Sequence, residues 1–209
     1  MTKRLVAHLK SILKLSKAKD PKLERLVICL TGMPGAGKST AAEVSQKLGF
    51  KVFRMGDDVR MAAEKRNIAP TDENLGAIML QLRQSGGIVA IAVLCKQRIE
   101  NDTKSILVVI DGVRNINEFF EFRKLGQAVL VTIHATPDKR FNFLKERARS
   151  DSPQSYQSFE SRDRRELTVG IGEAIALADE VIVNSGSLSE LKDKAERLIK
   201  RLKADFKNN

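Results

Sequence analysis

The run LVICLTGMPGAGKS, Leu26 to Ser39, decides the fold. Its first half, Leu26–Thr31, is an apolar, partly β-branched stretch of the kind that forms a strand buried on both faces. Its second half, Gly32-Met33-Pro34-Gly35-Ala36-Gly37-Lys38-Ser39, reads GxxxxGKS, and Thr40 continues into a helical pattern. Glycines at these places let backbone N–H groups turn inward, and the helix N-terminus closes an anion cradle. Gly32, Pro34, Gly35, Ala36, Gly37 and Thr40 are then expected to wrap phosphates. Lys38 reaches the β- and γ-phosphates, and the Ser39 hydroxyl suits Mg²⁺. ATP and Mg²⁺ are the expected cofactors. No NKxD or TKxD guanine-reading motif follows, which speaks against a GTPase switch.

Outward from this run the chain alternates strands and helices. Further strands are expected at Lys51–Met55, Ser105–Asp111, Ala128–His134 and Glu180–Asn184. Helical patterns occupy 38–48, 57–68, 72–84, 87–102, 115–125, 138–149, 170–178 and 188–204. The alternation predicts an α/β, three-layer P-loop NTPase fold: a five-stranded parallel sheet with helices on both faces. Arg149–Arg165 is polar and long for a connection, so residues 149–166 are expected to form a mobile lid. Residues 1–25 read as a basic amphipathic helix and residues 26–209 as the P-loop domain.

The chain has 209 residues, 42% hydrophobic and 30% charged, enough for one substantial core without disulfides or metals. No apolar run reaches the length of a membrane helix. Cys29 and Cys95 stand far apart with no CxxC pairing, which fits a reducing, cytoplasmic setting. The net charge is +11, but residues 1–26 hold +6 of it and residues 191–209 hold +4. The body of the protein is therefore nearly neutral. With no Trp and one Tyr, nucleic acid is not the favoured partner. The N-terminal helix is expected to pack on its own chain or a second subunit, or to dock RNA, a membrane surface or a protein.

Met55-Gly56-Asp57-Asp58-Val59-Arg60 ends the second strand, where side chains enter the crevice of a doubly wound sheet. An arginine there can fork onto a second phosphate. The segment resembles the GD-x-x-R stretch of adenylate kinases and related nucleoside monophosphate kinases, matched here by Gly56, Asp57 and Arg60. The resemblance implies that Arg60 holds the acceptor's phosphate. Asp111-Gly112-Val113-Arg114 is similar to the DG-x-x-R segment of those kinases, shorter by one residue, and the resemblance implies a place for Arg114 at the acceptor. Asp111, at the end of an apolar strand, takes the Walker B place and holds Mg²⁺ through water. Arg140, Arg147 and Arg149 precede the polar stretch and Arg162, Arg164 and Arg165 end it. This resembles a nucleotide-kinase lid, with Arg147 and Arg162 as the catalytic choices. The tail strand around Asn184 is similar to the last strand of nucleoside monophosphate and dephospho-CoA kinases, which implies a place for Asn184 near the donor base. Together these segments resemble an archaeal family of adenylate-kinase-related P-loop proteins over residues 26–205.

The expected activity is phosphoryl transfer from ATP to a small nucleotide, most simply a nucleoside monophosphate. A phosphate acceptor is already ionised and needs no base. A sugar hydroxyl, as in dephospho-CoA, needs a carboxylate to take its proton, and Asp57, beside Asp58, is the choice. The remaining alternative is a nucleotide-dependent binding module with weak ATPase activity.

Overall fold

A computed structural model of the chain describes residues 24–147 and 152–208. The N-terminal helix expected over residues 2–18 and the start of the lid lie outside the described residues. The elements follow in the order β1 (Leu26–Thr31), α1 (Lys38–Lys47), β2 (Lys51–Arg54), α2 (Met55–Glu64), α3 (Asp72–Gly86), α4 (Ala90–Asn101) and β3 (Leu107–Asp111). Then come α5 (Ile116–Arg123), β4 (Gln127–His134), α6 (Pro137–Arg147), α7 (Tyr156–Val169), α8 (Ile171–Ala176), β5 (Glu180–Val183) and α9 (Leu188–Asn208).

The sheet is five-stranded and parallel, in the order β2-β3-β1-β4-β5. This is the expected α/β architecture, with helices around the sheet. β1 lies at its centre and all six of its residues are buried. Val27 and Cys29 face a core shared with Val59, Met79, Ile99 and Phe122. Leu26, Ile28 and Leu30 face a second core, shared with Ala41 and Val44 of α1 and Ile199 of α9. Burial on both faces explains why β1 reads as a continuous apolar run. Truncating Ile28 to alanine there costs about 2–5 kcal/mol.

Register sets the site. Leu30 pairs with Asp111, and Asp111 pairs with Arg54, so β1, β2 and β3 all end on one edge of the sheet. Chain order reverses around β1, and ligands enter α/β sheets at such a crevice. Arg25, grouped by sequence with the N-terminal appendage, is buried: it donates to the carbonyls of Ser105 (3.1 Å) and Asp102 (2.8 Å).

One expectation is corrected. Much of the stretch read as an unstructured lid is the helix α7, which begins at Tyr156. Ser155 caps it and exchanges hydrogen bonds with Ser158. Its buried stripe is Phe159, Arg162, Glu166 and Val169. Two of the four are charged, so the stripe escapes a search for apolar periodicity.

Candidate active site

The loop Gly32–Ser39 leaves β1 and opens α1. Gly32 has φ +133°, and a Cβ there would lie 2.2 Å from the Ile133 carbonyl oxygen. A Cβ on Gly35, φ +81°, would lie 2.5 Å from the Arg140 carbonyl oxygen. Both positions therefore demand glycine, because neighbouring backbone passes too close for any side chain. Arg140, buried, donates to the Pro34 carbonyl at 3.1 Å and forks onto both oxygens of Asp163 at 2.9 and 2.6 Å. Its guanidinium also stacks 4.8 Å from the Phe159 ring centre. Arg140 thus ties the loop to α6 and α7 rather than serving in a lid.

Asn184, also buried, donates from Nδ2 to the Ala36 carbonyl at 3.0 Å. It lines the cavity, but its amide nitrogen braces the loop. Lys38 folds over the loop and donates to the carbonyls of Gly32 (2.6 Å) and Met33 (3.1 Å). Removal from water lowers its amine from 10.5 to about 8, with Asp111 opposing that shift. Asp111, buried at the end of β3, has its carboxyl pushed up by burial, against the pull of Lys38, Arg54 and Arg114.

One cavity of about 550 Å³ runs from this loop across the strand ends. Small-molecule pockets typically fall within roughly 300–1,000 Å³. Its lining carries seven Lys/Arg against four Asp/Glu, so it attracts anions. Gly56, Arg60, Arg114 and Arg162 line it together with Lys38, Ser39 and Asp111. After burial, the charges acting on Lys38 come from Asp111, Arg114, Glu166 and Arg162. The two arginines therefore stand within electrostatic reach of the lysine.

Gly56 gives Arg60 room: a Cβ at residue 56 would sit 3.2 Å from the Arg60 guanidinium. Asp57 is not among the lining residues; its half-exposed carboxylate stands 3.8 Å from Arg60. Asp58 is buried and paired with Arg98 at 2.7 Å. Burial raises its carboxyl while Arg98 holds it down. Arg98 also donates to the Arg54 carbonyl at 2.9 Å, so this pair fastens α4 to the β2–α2 junction. The adjacent acids Asp57 and Asp58 therefore do not act as a pair at the cavity.

Arg114 donates from its backbone N–H to Glu118 at 2.7 Å, and its Nε stands 3.2 Å from Glu166. Arg162 and Arg165 of α7 both meet Asp72, at 3.2 and 2.8 Å. Asp72 caps nothing itself; Thr71 accepts from the Asn74 N–H at 3.3 Å and starts α3. Arg147 ends α6, and its side chain, with Arg149, lies outside the described residues.

Sequence reading placed a helix over 72–84 but missed that α3 lines the site. Asp72, Leu75, Gly76, Met79 and Arg83 all line the cavity and recur at i, i+3/i+4, i+7 and i+11, one face of a helix. Gly76 interrupts this helix at a cost of about 1 kcal/mol against alanine. A Cβ there would meet the Arg165 guanidinium at 2.8 Å, so the glycine lets that group lie against α3. A glycine inside an otherwise helical stretch was the available signal.

Ser39 and Asp111 offer a hydroxyl and a carboxylate, and among the described residues no group of three or more His, Cys, Asp or Glu could cage a metal. This sparse oxygen set fits Mg²⁺, which is held by one or two protein oxygens plus phosphate and water.

Among known proteins, an AAA domain model matches residues 31–160. A UPF0200 protein of Hyperthermus butylicus is 42% identical over 85% of this chain and 95% of its own length. One from Methanocaldococcus jannaschii is 41% identical over 85% of this chain and 90% of its own. The chain belongs to the UPF0200 family. Solved structures share this chain's P-loop kinase-like fold. TT1252 from Thermus thermophilus superposes with a TM-score of 0.57 at 19% identity, covering 87% of this chain and 98% of that one. A shikimate kinase from Acinetobacter baumannii, in complex with shikimate, gives 0.54 at 12%, covering 88% and 96%. A gluconokinase from Sinorhizobium meliloti gives 0.51 at 14%, with the same coverage. Among the described residues no single helix is long and apolar enough to cross a membrane.

Proposed function

We propose that this UPF0200 protein is an ATP- and Mg²⁺-dependent phosphotransferase acting on a small nucleotide, a nucleoside monophosphate in the first instance. One observation carries the reading: a single cavity joins Lys38 and Ser39 to Arg60, Arg114 and Arg162. Phosphoryl transfer needs alignment and charge compensation more than covalent help. The loop amides and Lys38 hold the donor phosphates. Ser39 and Asp111 would hold Mg²⁺, which would supply charge neutralisation to the donor phosphates. Arg60 and Arg114 hold the acceptor's phosphate in line. Arg162, exchanging Asp72 for phosphate oxygens, stabilises the charge on the moving phosphoryl group and helps to keep water out.

The acceptor class rests on Asp57. A hydroxyl acceptor needs a carboxylate within hydrogen-bond reach of its proton. Asp57 does not line the cavity; of the four carboxylates that do, Asp72 and Glu166 are engaged with arginines, Asp111 is the proposed Mg²⁺ partner, and Glu146 stands near the end of α6. An acceptor phosphate requires no such base. The test is to incubate the full chain with ATP, Mg²⁺ and each nucleoside monophosphate in turn, with dephospho-CoA alongside. Nucleoside diphosphate formed from a monophosphate supports the reading. Phosphorylation of dephospho-CoA alone, abolished by Asp57→Asn, restores the hydroxyl alternative. ADP release independent of every acceptor leaves an ATPase or switch.

A further inference from the structure

Seven Lys/Arg residues line the cavity, and six of them are already engaged. Lys38 donates to loop carbonyls, Arg60 faces Asp57, Arg83 pairs with Glu118, Arg114 with Glu166, and Arg162 and Arg165 with Asp72. The seventh is Arg54, partly buried at the end of β2. Among the described residues its guanidinium makes neither a hydrogen bond nor an ion pair. The unpaired nitrogens of Arg83 and Arg165 are sealed inside the protein, whereas none of Arg54's is, so they stay reachable from the cavity that Arg54 lines. A partly desolvated cation with unused donors is costly unless a ligand completes it.

Sheet topology says which side of the reaction Arg54 serves. β1, β3 and β2 are neighbours in that order, and they lead into the phosphate loop, Asp111 and Arg54 respectively. Asp111 therefore stands between the loop and Arg54, and strands about 5 Å apart put the base of Arg54 about 10 Å from the end of β1. Arg54 and Asp111 are register partners. Val52 and Val109, two residues earlier on the same strands, both pack in the core beneath α1, so Arg54 and Asp111 share that face. Arg54 is one of the cations that oppose the upward push of burial on the Asp111 carboxyl. With Asp111 committed to Mg²⁺, Arg54 loses the carboxylate that register sets beside it. The chain runs directly from Arg54 into Met55–Arg60, the acceptor segment.

We infer that Arg54 is a further acceptor-binding residue, which receives an oxygen of the acceptor's phosphate on the side of Asp111 away from the loop. The inference rests on the phosphotransferase reading and deepens it. A phosphate there completes the one lining guanidinium that no described residue engages, and it offsets a cation set close to the Mg²⁺ position. A neutral hydroxyl in the same place does neither. Arg54 thus selects for an acceptor that is charged at its reacting group, and it couples acceptor binding to a loaded donor site.

The experiment compares AMP, GMP, CMP and UMP with their nucleosides on the full chain saturated with Mg²⁺ and a non-hydrolysable ATP analogue, by calorimetry. The wild-type chain is expected to bind at least one monophosphate about tenfold or more tightly than its nucleoside. Arg54→Gln is expected to lower that preference about tenfold, the worth of a charge-assisted hydrogen bond, with affinity for the ATP analogue nearly unchanged. Lys51→Gln, which removes a charge from the exposed start of the same strand, is expected to leave the preference as it was. Full preference in folded Arg54→Gln overturns the inference. An equal fall in Lys51→Gln overturns it too, and so does a wild-type chain that binds every monophosphate no better than its nucleoside. A second measurement needs no variant: phenylglyoxal modifies accessible guanidinium groups, and mass spectrometry reads Arg54 in the loaded wild-type chain. The bound monophosphate is expected to slow modification of Arg54, and its nucleoside is not; equal rates overturn the inference. The phosphotransferase reading fails on a different result: no monophosphate is converted to a diphosphate, whatever Arg54 binds.

Discussion

At the phosphate loop every supporting contact ends on backbone: Arg140 on Pro34, Asn184 on Ala36, Lys38 on Gly32 and Met33. Across the cavity the contacts run from side chain to side chain: Arg162 and Arg165 to Asp72, Arg114 to Glu166, Arg83 to Glu118. The donor end is thus shaped before any ligand arrives. The opposite end holds these cations on carboxylates, and on the proposed reading an incoming phosphate exchanges for some of them. Preorganised dipoles cost no reorganisation when the reaction begins. Exchangeable ion pairs let closure depend on occupancy.

Perturbing each end should separate them. Lys38→Met is expected to slow AMP-dependent ADP formation by about a thousandfold, the scale of losing a well-placed charge-stabilising donor. Arg140→Ala leaves Asp163 without its forked partner and is expected to cost about 3 kcal/mol in thermal or denaturant unfolding. It should weaken ATP binding more than AMP binding, and the reverse order would dissolve the distinction between a braced donor end and an exchangeable one. Arg60→Ala is expected to lower kcat/KM for the acceptor by about thirtyfold, the worth of a charge-assisted hydrogen bond, with ATP affinity nearly unchanged. Equal losses for both substrates would remove Arg60 from the acceptor end. Asp72→Asn frees Arg162 and Arg165 from a partly exposed carboxylate, so ATP should bind only about threefold tighter. Weaker binding would show that Asp72 organises the arginines instead of competing for them.

The smallest expected effect concerns protons. Lys38 is lowered from 10.5 to about 8 by burial. Between these values the unfolded chain binds more protons than the folded one, so this group's contribution to stability rises with pH from about 8 to 10.5 and is constant below about 8. Bound phosphates favour the charged amine and raise it again. Near pH 8.5 ATP binding should therefore take up a fraction of a proton, measured by calorimetry in buffers of different ionisation enthalpy. Lys38→Arg, charged throughout, should abolish the uptake.

The same contrast explains what the sequence disclosed. The donor end is legible because its chemistry is contiguous: one strand, one glycine-rich turn and one helix start. β1, β3 and most of β4 are legible because burial on both faces writes itself as apolar runs, whereas the edge strands β2 and β5, with one buried residue each, are legible from short β-branched and aromatic runs. The opposite end is assembled from α2, α3, α7 and the end of β3, and only Arg60 and Arg114 carry a local motif. Arg83 is one arginine on an ordinary amphipathic helix, and its partner Glu118 lies 35 residues away. Asp57 looked catalytic beside Asp58, but a side chain's direction from a helix start is set by packing, here the pairing of Asp58 with Arg98. α7 was read as a loop because Arg162 and Glu166 occupy buried positions that usually hold leucine or valine.

The central claim is simultaneous occupancy: a triphosphate on the loop and a second anion on the opposite arginines of one cavity. Calorimetric titration of AMP into the full chain already saturated with Mg²⁺ and a non-hydrolysable ATP analogue tests it most directly. The account predicts one AMP bound per chain with the analogue retained. Displacement of the analogue by AMP, or no AMP binding to the loaded chain alongside failure of every other nucleoside monophosphate, would contradict it.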